Sequence, residues 1–197
     1  MKKAHTYIAL PEGYREYFHV NLQKDRKTAL FVNITALVVG ILMFALGHFA
    51  FVSITDLYDM DDGLLIYFGR IIALLLGFVI YIVLHELTHA AVMKFFGAKK
   101  LRFGYTGIYA YAGSETDFFD KHAYIPISLA PLIVWGIIFT VLLIVVPRSW
   151  FWVVYFWQIG NITGAMGDLY VTFKFSPMPK DILIRDTGTE MTIYSKA

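Results

Sequence analysis

The strongest constraint on the fold of this chain is a set of four long apolar runs. They lie near residues 29–54, 64–96, 124–146 and 150–174. Each run is long enough to form a helix that crosses about 30 Å of hydrocarbon, which takes roughly 20 residues. Since 58% of the residues are hydrophobic and only 16% are charged, lipid is the expected solvent of these helices. We therefore predict an all-α integral membrane protein with four transmembrane helices.

The polar segments around these runs predict the rest of the architecture. Residues 1–28 form an N-terminal segment, residues 29–175 the four-helix membrane domain and residues 176–197 a tail. Two segments mix aromatic and β-branched residues with glycine, which is typical of strands and turns. They are residues 100–113, after the second helix, and residues 182–194 in the tail, and we expect a small cytosolic β-hairpin in each.

The placement of lysine and arginine predicts the orientation in the membrane. Basic residues are frequent before the first run, between the second and third runs, and in the tail, whereas the connection at 55–63 has none and that at 147–149 has one. Because positively charged loops tend to stay cytoplasmic, both termini of this multi-pass cell membrane protein should be cytosolic. The basic residues form short groups rather than a stripe, so nucleic acid is not an expected partner.

One motif near the end of the second run indicates a metal site. The sequence His85-Glu86-Leu87-Thr88-His89 places two histidines four residues apart. On a helix these positions share a face, so both imidazoles can reach one Zn²⁺, and Glu86 beside them can take a proton from a bound water. The chain has no cysteine, which leaves histidine and carboxylate as the strong ligands. The alternative is a hydrogen-bonded polar cluster between helices that holds no metal.

A third ligand is predicted because a catalytic zinc takes three protein ligands and keeps one position open. Asp168 is the acidic residue within the last two runs, and the return of the fourth helix brings it to a depth similar to that of His89. The alternative is a carboxylate that pairs with Lys174 or is solvated at the interface. The rival ligands lie in the polar segment before the third run: Glu115, Asp117 and His122. The solubility of that segment alone explains why these residues are there.

The fourth run carries two further features near Asp168. Gly160, Gly164 and Gly167 form a small-residue face that would let membrane helices approach closely. Asn161 lies seven residues before Asp168, on the same face of a helix. It could orient a substrate carbonyl or a ligand, and an interhelical hydrogen bond is an equally good interpretation.

Several of these features resemble a known family. The sequence HELTHA at residues 85–90, the Phe-Gly and basic residues after it, and the Asn161 to Asp168 spacing resemble the putative zincin peptidases of bacterial membranes. More distantly they are similar to the site-2 protease clan of intramembrane metalloproteases, whose usual aspartate lies in an LDG-type motif where this chain has Gly167-Asp168-Leu169. The likeness covers residues 64–195. It implies an endopeptidase that acts within the membrane or at its surface.

The sequence therefore favours a membrane-embedded zinc endopeptidase, with Glu86 as general base and a membrane-tethered or transmembrane protein as substrate. The alternative is a catalytically silent metal-binding membrane protein with a regulatory or partner-binding role. Glu86 argues against it, because binding a metal needs only the ligands. Metal transport ranks last, since the helices offer few polar groups along a path. Residues 100–113 have two interpretations: they capture an extended substrate by strand addition, or they only pack over the helix ends.

Overall fold

The computed structural model describes residues 5–21, 24–107 and 110–196. Lys2 and Lys3 of the predicted cytosolic segment, and positions 108–109 of the predicted hairpin, lie outside the described residues. The chain is mostly helical, at 61%, with small β-sheets. The prediction of a mostly helical chain is therefore confirmed, whereas the all-α class is not, because the chain also contains the sheets described below.

All four predicted apolar runs are helical, but only three of them form one continuous helical segment each. The helices are α1 Arg26–Leu46, α2 Leu64–Phe95, α3 Lys121–Val145, α4 Phe151–Gly164 and α5 Met166–Phe175. Within the described residues, three helical segments are long and apolar enough to cross a membrane: Arg26–Phe51, Leu64–Phe95 and Lys121–Val145. The predicted fourth helix is divided at Ala165, in a glycine-containing stretch of low helix propensity, so neither α4 nor α5 alone has that length.

The strands form two separate sheets. They are β1 Thr6–Tyr7, β2 Tyr14–Asn21, β3 Arg102–Tyr105, β4 Ala110–Gly113, β5 Phe118–Asp120, β6 Leu183–Asp186 and β7 Glu190–Lys196. The antiparallel pairs β3–β4 and β6–β7 are the two predicted hairpins. The second of them belongs to a five-stranded antiparallel sheet of order β1-β5-β6-β7-β2, which the sequence did not predict. The predicted domain boundaries stay a prediction.

The five-stranded sheet lies in a compact unit made of Met1–Val32, His85–Ala130 and Gly167–Ala197. Its core joins sheet residues such as Phe119 and Ile193 to the end of α2, the start of α3 and the end of α5. Burying a large apolar side chain contributes about 1.5–3 kcal/mol, so this core fixes the three helix ends firmly. Two of these helices carry the predicted metal ligands: His85 and His89 lie on α2, and Asp168 lies in the first turn of α5. The core members are Val20, Met93, Ala98, Phe119, Ala123, Tyr124, Ile127, Val171, Phe175, Ile182, Ile184, Met191 and Ile193.

A second unit consists of Asn33–Leu84 and Pro131–Met166 and is helical. Its helices α2 and α4 approach closely at two glycines. A Cβ atom on Gly77 would lie 2.2 Å from the Trp157 ring, and one on Gly160 would lie 2.5 Å from the Phe78 ring. Gly160 thus has the close contact that the small-residue face predicts, whereas a Cβ on Gly164 would meet no atom within 4 Å.

A charged residue within the apolar part of α2 also belongs to this second unit. Arg70 is fully buried, and its guanidinium donates to the carbonyl oxygen of Ser149 at 2.9 Å and to that of Asp59. Carbonyl oxygens offset part of the cost of placing this cation away from water. Arg70 therefore ties α2 to the two connections that precede α2 and α4.

Candidate metal centre

The three predicted ligands meet in the sheet-containing unit. His85 and His89 lie one turn apart on α2, with ring centroids 4.9 Å apart. Asp168 lies in the first turn of α5, and its two carboxylate oxygens point at the two rings. His85 Nε2 is 3.3 Å from Asp168 Oδ2, and His89 Nε2 is 3.5 Å from Asp168 Oδ1. All three donor atoms lie within 4.8 Å of one another.

These separations fit a shared metal ion. Ligand atoms bound tetrahedrally at 2.0–2.1 Å from a zinc ion lie about 3.3 Å apart. The two histidine–aspartate distances are also longer than the usual length of an N–H···O hydrogen bond. Each side chain keeps a small exposed fraction, 11% for His85, 10% for His89 and 22% for Asp168, so the site can be reached from outside. The group could therefore hold a metal ion.

The surrounding hydrogen bonds orient two of the three ligands. His89 Nδ1 lies 2.8 Å from the carbonyl oxygen of Ile127 on α3. A proton on Nδ1 makes that contact a hydrogen bond and leaves the Nε2 lone pair free for a metal. Ser128, the next residue, donates to the backbone carbonyl of Asp168 at 3.0 Å and accepts from Thr172 at 3.1 Å. The first turns of α3 thus hold ligands from α2 and α5.

Glu86, the predicted general base, lies beside the ligands on α2 and is partly buried. Its carboxylate accepts a hydrogen bond from the backbone N–H of Ala112 on β4. The β3–β4 hairpin therefore contacts the carboxylate that the sequence predicts as general base. The structure does not show the alternative in which Asp168 pairs with Lys174. The Asp168 carboxylate faces His85 and His89 instead, and the Lys174 ammonium lies 5.3 Å from the centroid of the Phe18 ring.

Comparison with known proteins assigns the chain to a family. The model of a family described as "Putative zincin peptidase" matches residues 78–183, which contain His85, Glu86, His89 and Asp168. The chain belongs to this family. A relative described as "Uncharacterized 24.7 kDa protein in gap 5'region", from Pyrococcus woesei, is 33% identical over 170 residues, which cover 81% of this chain and 68% of that protein. No solved structure gave a significant match. The resemblance to the family is thereby confirmed.

In this zincin peptidase family member, the rival ligands have other partners or positions. Glu115 pairs with Arg102, and His122 is exposed. Asp117 is fully buried, and its carboxylate accepts hydrogen bonds from the backbone N–H groups of Lys99 and Lys100. The group that could hold a metal, within the described residues, contains none of these three.

Asn161 is fully buried in the helical unit and bonds to two other helices. Tyr81 of α2 donates to its Oδ1 at 2.9 Å, and its Nδ2 donates to the carbonyl oxygen of Leu132 on α3 at 3.1 Å. The interhelical hydrogen bond, which was the second interpretation of Asn161, is therefore present. A role for Asn161 in orienting substrate stays a prediction.

Several supporting residues were not predicted from the sequence. Ser128, Thr172 and the Ala112 amide act through hydrogen bonds between distant segments, and serine or threonine in a membrane helix is too common to single out. A buried pair lies close to them: Tyr124 donates to Asp186 at 2.8 Å, and burial raises the pKa of the Asp186 carboxyl. The only sequence signal for this pair is an acid in the turn of the predicted tail hairpin.

Proposed function

We propose that this protein is a membrane-embedded zinc endopeptidase that hydrolyses peptide bonds of a membrane-tethered or transmembrane protein near the cytosolic interface. One observation carries the proposal. The imidazole and carboxylate donors of His85, His89 and Asp168 lie within 4.8 Å of one another, and Glu86 lies directly beside them. Two histidines and one carboxylate with an adjacent free acid form the donor set of zinc peptidases rather than that of a structural zinc site.

The chemistry assigns a role to each of these residues. A zinc ion held by His85, His89 and Asp168 would polarise the scissile carbonyl and lower the pKa of its water towards about 7. Glu86 accepts the proton of the attacking water and then delivers it to the leaving amine. Ile127 and Ser128 keep His89 and Asp168 in place during these steps.

The direct test is cleavage of an unfolded protein by the purified chain. Fluorescently labelled casein is a suitable probe because its extended segments need no unwinding. We expect the detergent-purified protein to release labelled fragments, 1,10-phenanthroline to stop the release, and added Zn²⁺ to restore it. Cleavage that continues after the bound metal has been removed would contradict the proposal. A protein that binds zinc but releases no fragments would favour the catalytically silent metal-binding alternative.

We further propose that the chain crosses the membrane four times with both termini cytosolic. The five-stranded sheet supports an even number of crossings. Its strands β2, β5 and β7 come from before α1, between α2 and α3, and after α5. Strands that share backbone hydrogen bonds must lie on one side of a bilayer. The helices between β2 and β5 must therefore cross the bilayer and return, and so must the helices between β5 and β7. The pair α4–α5, although broken at Ala165, would then make one crossing together.

The absence of cysteine from the sequence makes the topology easy to test. Single cysteines can be placed at the exposed positions Glu12, Asp61 and Lys180. In intact cells, a membrane-impermeant maleimide is expected to label Asp61→Cys only, whereas Glu12→Cys and Lys180→Cys should react after permeabilisation. Labelling of Glu12→Cys and Lys180→Cys from opposite sides would show an odd number of crossings.

The β3–β4 hairpin is proposed to capture an extended segment of the substrate. Since Ala112 directs its N–H to Glu86, the opposed residues Phe103 and Ala112 form a pair without mutual hydrogen bonds. The N–H and carbonyl of Phe103 therefore point away from β4, at an edge of β3 where Phe103 and Tyr105 are exposed. Such an edge can add a further strand.

Proline at position 103 tests this capture. Phe103→Pro removes an outward N–H while leaving the bonds to β4 in place, which edge strands tolerate. We expect KM for casein to rise about three- to tenfold, the effect of one lost hydrogen bond, with little change in kcat. Phe103→Ala is the control for loss of the ring. An equal rise in KM in both variants would assign the effect to the side chain and remove the strand-addition idea.

A further inference from the structure

Asp117 is a fully buried carboxylate to which the proposed mechanism gives no role. Its Oδ2 accepts from the backbone N–H of Lys99 at 3.0 Å, from that of Lys100 at 3.3 Å and from the Ser114 hydroxyl at 2.7 Å. Its Oδ1 is buried without a hydrogen-bond partner. Within the described residues no cation lies in ion-pair distance of it, so these three donors offset the cost of burying its charge.

The donors come from the two ends of one hairpin. Lys99 and Lys100 lie just before β3, and Ser114 directly follows β4. One carboxylate oxygen therefore ties both ends of the β3–β4 hairpin to each other. Ser114 is also bound to the five-stranded sheet, because its N–H donates to the carbonyl oxygen of Asp186 at 2.7 Å.

The end of β4 packs tightly against the β6–β7 turn. A Cβ atom on Gly113 would lie 2.3 Å from the backbone of Gly188, and one on Gly188 would lie 2.3 Å from the Tyr111 ring. Only glycine leaves room for this approach at either position. Ala112, the neighbour of Gly113, donates its N–H to Glu86. A hairpin held at this end thus presents the amide to the carboxylate at a fixed place.

We propose that Asp117 is a positioning residue for Glu86: it fastens the base of the β3–β4 hairpin and thereby fixes the Ala112 amide that holds the Glu86 carboxylate. The contribution to catalysis rests on the proposed peptidase function. The fastening of the hairpin does not rest on that function, because it depends only on the hydrogen bonds that Asp117 accepts.

Two substitutions distinguish the effect of losing the Asp117 charge from the effect of losing the charge of a nearby surface acid. Asp117→Asn keeps the shape, but the neutral amide binds the three donors more weakly and places an NH₂ group where Oδ1 or Oδ2 now lies. Glu115→Gln makes the same chemical change two residues away, in an exposed pair with Arg102 that contributes little to stability. Ser114→Ala removes one donor only, and it serves if Asp117→Asn fails to fold.

Hydrogen exchange in the full-length, detergent-purified protein tests the fastening without reference to activity. In Asp117→Asn, exchange across residues 101–113 should rise about tenfold or more, since hydrogen bonds to a charged group are lost, while exchange in β6 and β7 stays unchanged. Glu86→Ala should raise exchange at the Ala112 amide. Glu115→Gln should change neither. In casein cleavage, Asp117→Asn should lower kcat with zinc content unchanged, which a general loss of folding would not produce.

The possible failures are distinguishable. Unchanged exchange over residues 101–113 in both Asp117→Asn and Ser114→Ala overturns the fastening. Raised exchange with unaltered kcat overturns the positioning role. If the wild-type protein cleaves no casein, the peptidase proposal and the catalytic part of this inference fail together, and exchange at Ala112 in Asp117→Asn still decides whether Asp117 sets the contact with Glu86.

Discussion

Glutamine in place of Glu86 is expected to lower kcat for casein cleavage by about 10²- to 10⁴-fold, the range that a positioned general acid–base residue contributes. Glutamine has nearly the same size, and its carbonyl oxygen can still accept the hydrogen bond from the Ala112 amide. It cannot take a proton from water at neutral pH, so the loss should fall on the chemical step. KM should change little, because Glu86 is proposed to act on the water rather than on substrate binding.

Zinc content decides how that result is interpreted. Because Glu86 is not one of the three grouped ligands, Glu86→Gln should keep the metal content of the wild type. Glu115→Gln is the matched control for loss of one acidic charge, and its kcat should equal that of the wild type. A Glu86→Gln protein that retains zinc and cleaves casein as fast as the wild type would exclude Glu86 as the base.

The helices and the histidine pair could be predicted because both depend on local sequence. The apolar runs set the helix lengths, and the spacing of four residues sets the shared face of His85 and His89. Asp168 could be predicted by elimination, since the last two runs contain no other acid. The two hairpins follow from turn residues between β-forming residues, which is again a local signal.

The five-stranded sheet could not be predicted in the same way. It pairs β2 with β7, whose partners are separated by most of the chain, and no pattern within either strand specifies the other. The hydrogen bonds around the site are equally non-local: Ser128 to the Asp168 carbonyl, and the Ala112 amide to Glu86. The break at Ala165 was also missed, because low helix propensity weakens a helix without showing where it ends.

Alanine in place of Asp168 is expected to remove most of the bound metal. Elemental analysis of the purified wild type should give about one zinc per chain, the content of a mononuclear site, and Asp168→Ala should fall to a small fraction of that value. Two neutral imidazoles would remain to hold a doubly charged ion. Cleavage of casein should fall with the metal content. Asp181→Ala, at an exposed acid of the tail, is the control and should keep both.

The local structure explains why this loss should not be a loss of folding. Ser128 donates to the backbone carbonyl of Asp168 rather than to its side chain, so the contact between α3 and α5 survives the substitution. Val171 and Phe175, on the same helix, stay in the core of the sheet-containing unit. A monodisperse Asp168→Ala protein that still carries one zinc would therefore exclude Asp168 as a ligand. Absence of metal from both proteins would instead favour the hydrogen-bonded cluster, in which Asp168 accepts directly from His85 and His89.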